Sequence, residues 1–146
     1  MEKEKLLQII KEEGNEMDFE WLGMPCLIKR AGENSHWCGY VKVPNDSRLY
    51  KKHYYTSSES ELGISKLEEA INNIDIHGGL TYAGERKEDG NWWFGFDCGH
   101  SGDLSLYMLD GHFFRDYNSR YRDKDYVIGE CKYLAKQLKQ IIELKL

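Results

Sequence analysis

The chain has 146 residues, with 20 basic and 25 acidic side chains and a formal net charge of −5. That length suits one domain, residues 1–146, with its own core. A hydrophobic content of 40% excludes a disordered chain, and no apolar run approaches the length of about 18 residues that a membrane span needs.

Residues 3–13 read as a short helix with Leu6, Leu7 and Ile10 on one side and Gly14 as its stop. Met17, Phe19 and Trp21 alternate with Asp18 and Glu20, which predicts a half-buried strand over 17–21. Cys26 to Arg30 reads as a second strand, Ala31 to Ser35 as a turn, and His36 to Val43 as a third strand closed by Pro44. The front of the chain is therefore an antiparallel meander. Residues 45–63 are polar and have no clear period, so they read as a loop.

Ser65-Lys66-Leu67-Glu68 has the form of a capping box, and a helix over 66–74 follows. Leu80 to Ala83 and Asn91 to Cys98 read as two strands joined by Gly84 to Gly90; Trp92, Trp93, Phe94 and Phe96 make the second one bulky and central. Val127, Cys131, Leu134, Ala135, Leu138, Ile141 and Ile142 recur at helical spacing, with Asp123 or Asp125 as cap. The fold class is α+β: an antiparallel sheet packed by helices, including a long C-terminal amphipathic helix.

The charge is uneven. Residues 1–110 carry 12 basic and 20 acidic side chains, and residues 111–146 carry 8 and 5. The basic excess at the end reads as the solvated face of the last helix, or as a cationic face for an anionic ligand. The overall sign excludes a general nucleic-acid binder. The start, Met1-Glu2-Lys3-Glu4-Lys5, lacks an apolar signal core and reads as cytoplasmic. Cys26, Cys38, Cys98 and Cys131 form no Cys-x-x-Cys pair, so they read as free, partly buried thiols rather than a zinc ribbon.

The chemistry concentrates in residues 77–103. If the strands on either side of Gly84–Gly90 pair as a hairpin, His77 lies near Asp97, His100 and Asp103. Two imidazoles and two carboxylates at one sheet end permit three roles. They suit a divalent metal, a general base with an orienting acid, or a hydrogen-bonded corner that seals the sheet. Trp92 and Trp93 point to opposite sides, one into the core and one free to floor a pocket. His36, Cys38 and Tyr40 share a strand face, and Tyr50, His53, Tyr54 and Tyr55 lie on a loop able to form a lid. Arg115, Arg120 and Arg122 are candidates to clamp a phosphate or carboxylate.

Trp37-Cys38-Gly39-Tyr40, His77-Gly78-Gly79-Leu80-Thr81-Tyr82, Trp92-Trp93-Phe94-Gly95-Phe96-Asp97-Cys98 with His100 and Asp103, and Tyr126-Val127 with Glu130-Cys131 are also distinctive as words. Over residues 36–138 they resemble a family of small proteins encoded by phages and prophages. The resemblance implies a mobile-element origin inside a bacterial host and brings no activity with it.

The expected function is binding of a polar or anionic, nucleotide-like small molecule, in the manner of phage proteins that sequester a host defence signal. The expected contacts are His77, Thr81, Trp93, Asp97, His100, Asp103 and Arg115. The rival readings are a metal-dependent hydrolase with His77, Asp97, His100 and Asp103 as ligands of a divalent ion, and a protein inhibitor of a host enzyme. Leu144 and Leu146, beyond the main apolar stripe, leave a homo-oligomer contact open.

Overall fold

The computed structural model of the protein describes residues 1–54, 65–86, 89–111 and 118–144. Helix α1 (Lys3–Glu13) buries Leu6 and Ile10 and ends at Gly14, whose N–H returns to the Ile10 carbonyl at 3.2 Å. Strands β1 (Glu16–Trp21), β2 (Met24–Arg30) and β3 (Trp37–Val43) follow as the expected meander. Helix α2 (Lys66–Asn72) starts at the capping box that the sequence predicts, with Ser65 accepting from the Glu68 N–H.

Strands β4 (Tyr82–Glu85) and β5 (Trp92–Asp97) form the second hairpin. After it come a one-turn helix α3 (Leu106–Leu109) and the long helix α4 (Lys124–Glu143) capped by Asp123. The five strands run in the order β1-β2-β3-β5-β4, each antiparallel to its neighbours. β5 is therefore interior, as its bulk predicts.

One face of the sheet presents Cys26, Ile28, Val41, Val43, Phe94 and Phe96 to Val127, Cys131, Leu134, Ala135 and Leu138 of α4 in a single buried cluster. Period 2 in the strands and period 3.6 in the helix supply those two matching surfaces. Each buried Val, Ile, Leu or Phe side chain among them stabilises the fold by roughly 1.5–3 kcal/mol through removal from water. All four cysteines are buried and free. No described helix is long and apolar enough to cross a membrane.

Several boundaries differ from the sequence reading by one or two residues, among them the two that flank residues 73–81. α2 stops at Asn72 rather than Ile74, and β4 begins at Tyr82 rather than Leu80. The second shift has a local cause: Gly78 and Gly79 both take positive φ, so the chain is still turning after His77. The Thr81 N–H then donates to the Gly95 carbonyl and starts the ladder. α3 has no counterpart in the sequence reading, because a single turn carries no helical period.

Candidate functional site

The hairpin brings the predicted residues to one end of the sheet. Residues 75–77 are pinned to α4 by side-chain amide and carboxylate bonds. Gln137 bonds both the N–H and the carbonyl of Asp75 at 2.8 Å, and Glu130 accepts the His77 N–H at 3.1 Å. The His77 ring therefore enters the sheet end at a fixed angle. Its Nε2 lies 2.8 Å from Asp103 Oδ2, and its Nδ1 lies 2.8 Å from the Tyr126 hydroxyl.

Asp103 is the hub. Its side chain is 1% exposed and accepts from His77 Nε2, from Arg122 Nε at 2.9 Å and from the His100 N–H at 3.0 Å. Burial pushes its carboxyl group up, but the three donors outweigh this and leave it below its ordinary value. It is a charged acceptor at neutral pH, held in place by a short parallel bridge between Asp103 and Arg120.

Asp97 and His100 form a separate pair. Asp97 Oδ1 accepts the Gly99 N–H at 2.9 Å. His100 Nε2 lies 3.3 Å from the same oxygen but makes no hydrogen bond to it, so it is buried without a hydrogen-bond partner among the described residues. Two glycines make room for imidazoles here. Gly78 has φ 69°, and a Cβ there would collide with the His100 ring. A Cβ on Gly99 would stand 2.7 Å from the His36 ring. Burial keeps His36 below the usual histidine range, against the pull of Asp97 and Asp103, so it is neutral at pH 7.

Beside these residues runs a groove of about 920 Å³. The loop before β3 supplies Asn34, Ser35 and His36; the loop after β5 supplies His100, Ser101 and Asp103. Leu106 and Met108 of α3 form the apolar side, and Ser119 closes it. Ser119 Oγ, like His100 Nε2, is buried without a hydrogen-bond partner among the described residues.

His77, Asp97, His100 and Asp103 thus come together as expected, but only His100 and Asp103 line the groove. The four split into two pairs, and both nitrogens of His77 are engaged. Among the described residues no group of three or more His, Cys, Asp or Glu side chains is placed to hold a metal ion.

Trp92 joins the core and pairs with Val43, while Trp93 points to the other face of the sheet, where its buried Nε1 has no hydrogen-bond partner among the described residues. It does not line the groove. Thr81 is exposed at the start of β4, away from the groove. Arg115 and Tyr55 lie outside the described residues. Arg122 is spent on Asp103 and on the Tyr126 ring, 5.1 Å from its guanidinium.

The sequence reading missed Tyr126 and Glu130 as anchors of His77. Their signal is the i, i+4 spacing on α4, which puts both on the side facing the 75–77 turn. It also missed Ser119 and α3, for which the sequence offers no pattern. Compared with protein family models, curated proteins and solved structures, the chain matches none.

Proposed function

We propose that the protein binds a small polar molecule in the groove between the loop before β3, the loop after β5 and α3. One observation carries this reading. Of the three buried side-chain polar atoms without a hydrogen-bond partner among the described residues, two, His100 Nε2 and Ser119 Oγ, belong to groove-lining residues. Buried polar atoms in folded proteins are nearly always paired, and exceptions concentrate where a ligand or water completes the set. The volume also falls within the range of about 300–1,000 Å³ typical of small-molecule sites. A ligand held there without turnover is sequestered, which is the role expected from the sequence.

The hydrolase reading draws less support, because His77 has no nitrogen left to ligate an ion while it bridges Asp103 and Tyr126. The test is a small-molecule library screened by NMR on the imidazole signals of His36 and His100, assigned with His36→Gln and His100→Gln. Polar compounds are expected to shift these two signals and leave His53 unmoved. If no compound moves either signal, the groove is not a ligand site.

A further inference from the structure

The groove's chemistry narrows what it accepts. One side is apolar, built by Leu106 and Met108. The rest of the lining includes donors and acceptors that carry no formal charge: the Asn34 amide, the Ser35 and Ser119 hydroxyls and the neutral His36 imidazole. The carboxylates on the described lining are Glu33, Asp103 and Asp110, with no lysine or arginine among the described lining residues. Asp103 is compensated by Arg122 and hydrogen-bonded to His77, and Asp110 is compensated by Lys3 at 2.7 Å. Glu33 has no ion pair among the described residues. A phosphate entering here meets the Glu33 carboxylate, while the neighbouring cations Arg122 and Lys3 are already paired with Asp103 and Asp110, and like charges in contact cost affinity.

We infer that the groove takes an uncharged planar heterocycle, a nucleobase or its nucleoside, and discriminates against the phosphorylated form. A base has an apolar face that packs on aliphatic and aromatic side chains and an edge of alternating donors and acceptors. The Leu106–Met108 side suits the face, and the Asn34–Ser35–His36 side with Ser119 suits the edge. The inference rests on the groove being the ligand site.

The experiment is calorimetric titration of the full chain at low ionic strength with adenosine, guanosine, cytidine and uridine, each beside its 5′-monophosphate. At least one nucleoside is expected to bind about tenfold or more tightly than its monophosphate. Ser119→Ala weakens that nucleoside, and Glu33→Gln narrows the gap by strengthening the monophosphate.

Monophosphates that bind as well as nucleosides overturn the charge argument. Failure of all eight compounds, while other polar molecules shift His36 and His100, overturns the nucleobase assignment and leaves the groove a ligand site. Silence of those signals toward every compound overturns both.

Discussion

Asp103 is a carboxylate withdrawn from water on three donors. Asp103→Asn keeps its shape, removes its charge and turns an amide N–H₂ toward those donors. The expected loss is about 3 kcal/mol by urea denaturation at neutral pH, in the range for breaking a buried charged pair. The sign with pH follows from a folded value below 3.8. The carboxylate's contribution is complete above 3.8 and fades as pH falls through the lower folded value, so the gap between wild type and Asp103→Asn closes in acid. His36 acts in the other window. Burial holds the folded imidazole below 6.5, with Asp97 and Asp103 opposing and His100 assisting. Below 6.5 the unfolded chain takes the proton first, so stability drops as pH falls from there toward the folded value. Between about pH 7.5 and 5.5 the wild type is expected to lose more stability than His36→Gln. An equal loss in both proteins contradicts the neutral imidazole. His77, Asp97, His100 and Asp103 were legible in the sequence as neighbours because antiparallel pairing alone brings them together. Their division of labour was not, since Tyr126 and Arg122 arrive from 49 and 19 residues along the chain.

Local chemistry explains most of the elements. The Ser65–Glu68 capping box, the Asp123 cap and the apolar stripe of α4 each act within a few residues, and each appears where the sequence places it. The start of β4 escaped because the turn at Gly78 and Gly79 consumes two residues that look like strand. Room for the His100 ring against Gly78 is likewise a through-space fact. Gly78→Ala combines a positive φ with a collision, so it is expected to destabilise by more than about 1 kcal/mol and to shift the His100 imidazole signal. The β1–β2 turn offers the opposite test. Leu22 and Gly23 both take positive φ, and Leu22 is 43% exposed. A two-residue hairpin of this kind favours Asn-Gly. Leu22→Asn is therefore expected to raise stability by about 0.5–1 kcal/mol, read as a higher urea midpoint with an unchanged slope. A lower midpoint means that Leu22 makes packing contacts worth more than the backbone strain.

At the scale of the whole molecule, α1 is tied to the sheet and to α4 by polar contacts that no periodicity announces. Arg30, 5% exposed at the end of β2, donates to the Ile10, Gly14 and Ser35 carbonyls, the Tyr121 hydroxyl and Glu13. Glu13 also accepts from Trp37, Tyr121 and the Lys124 N–H at the start of α4. Burial raises the Glu13 carboxyl group, but these donors together hold it below 4.5. The clamp fixes where the loop before β3 sits, because the Ser35 carbonyl is one of its acceptors and Ser35 and His36 line the groove. Glu13→Ala leaves the Arg30 guanidinium buried without its carboxylate, and the expected cost is about 3–5 kcal/mol. The double variant Glu13→Ala with Arg30→Met removes both charges and is expected to cost less than the sum of the two single changes, a coupling of about 0.5–3 kcal/mol. If the double variant costs the full sum, the two side chains act independently and the clamp is not a unit. The same variants connect stability to function. With the loop released, the His36 imidazole should lose its shift in response to compounds in Glu13→Ala at temperatures where the chain is still folded, while variants on β1, such as Glu20→Gln, leave that response intact. Retention of the response in folded Glu13→Ala would show that the groove is shaped by β3 and α3 alone.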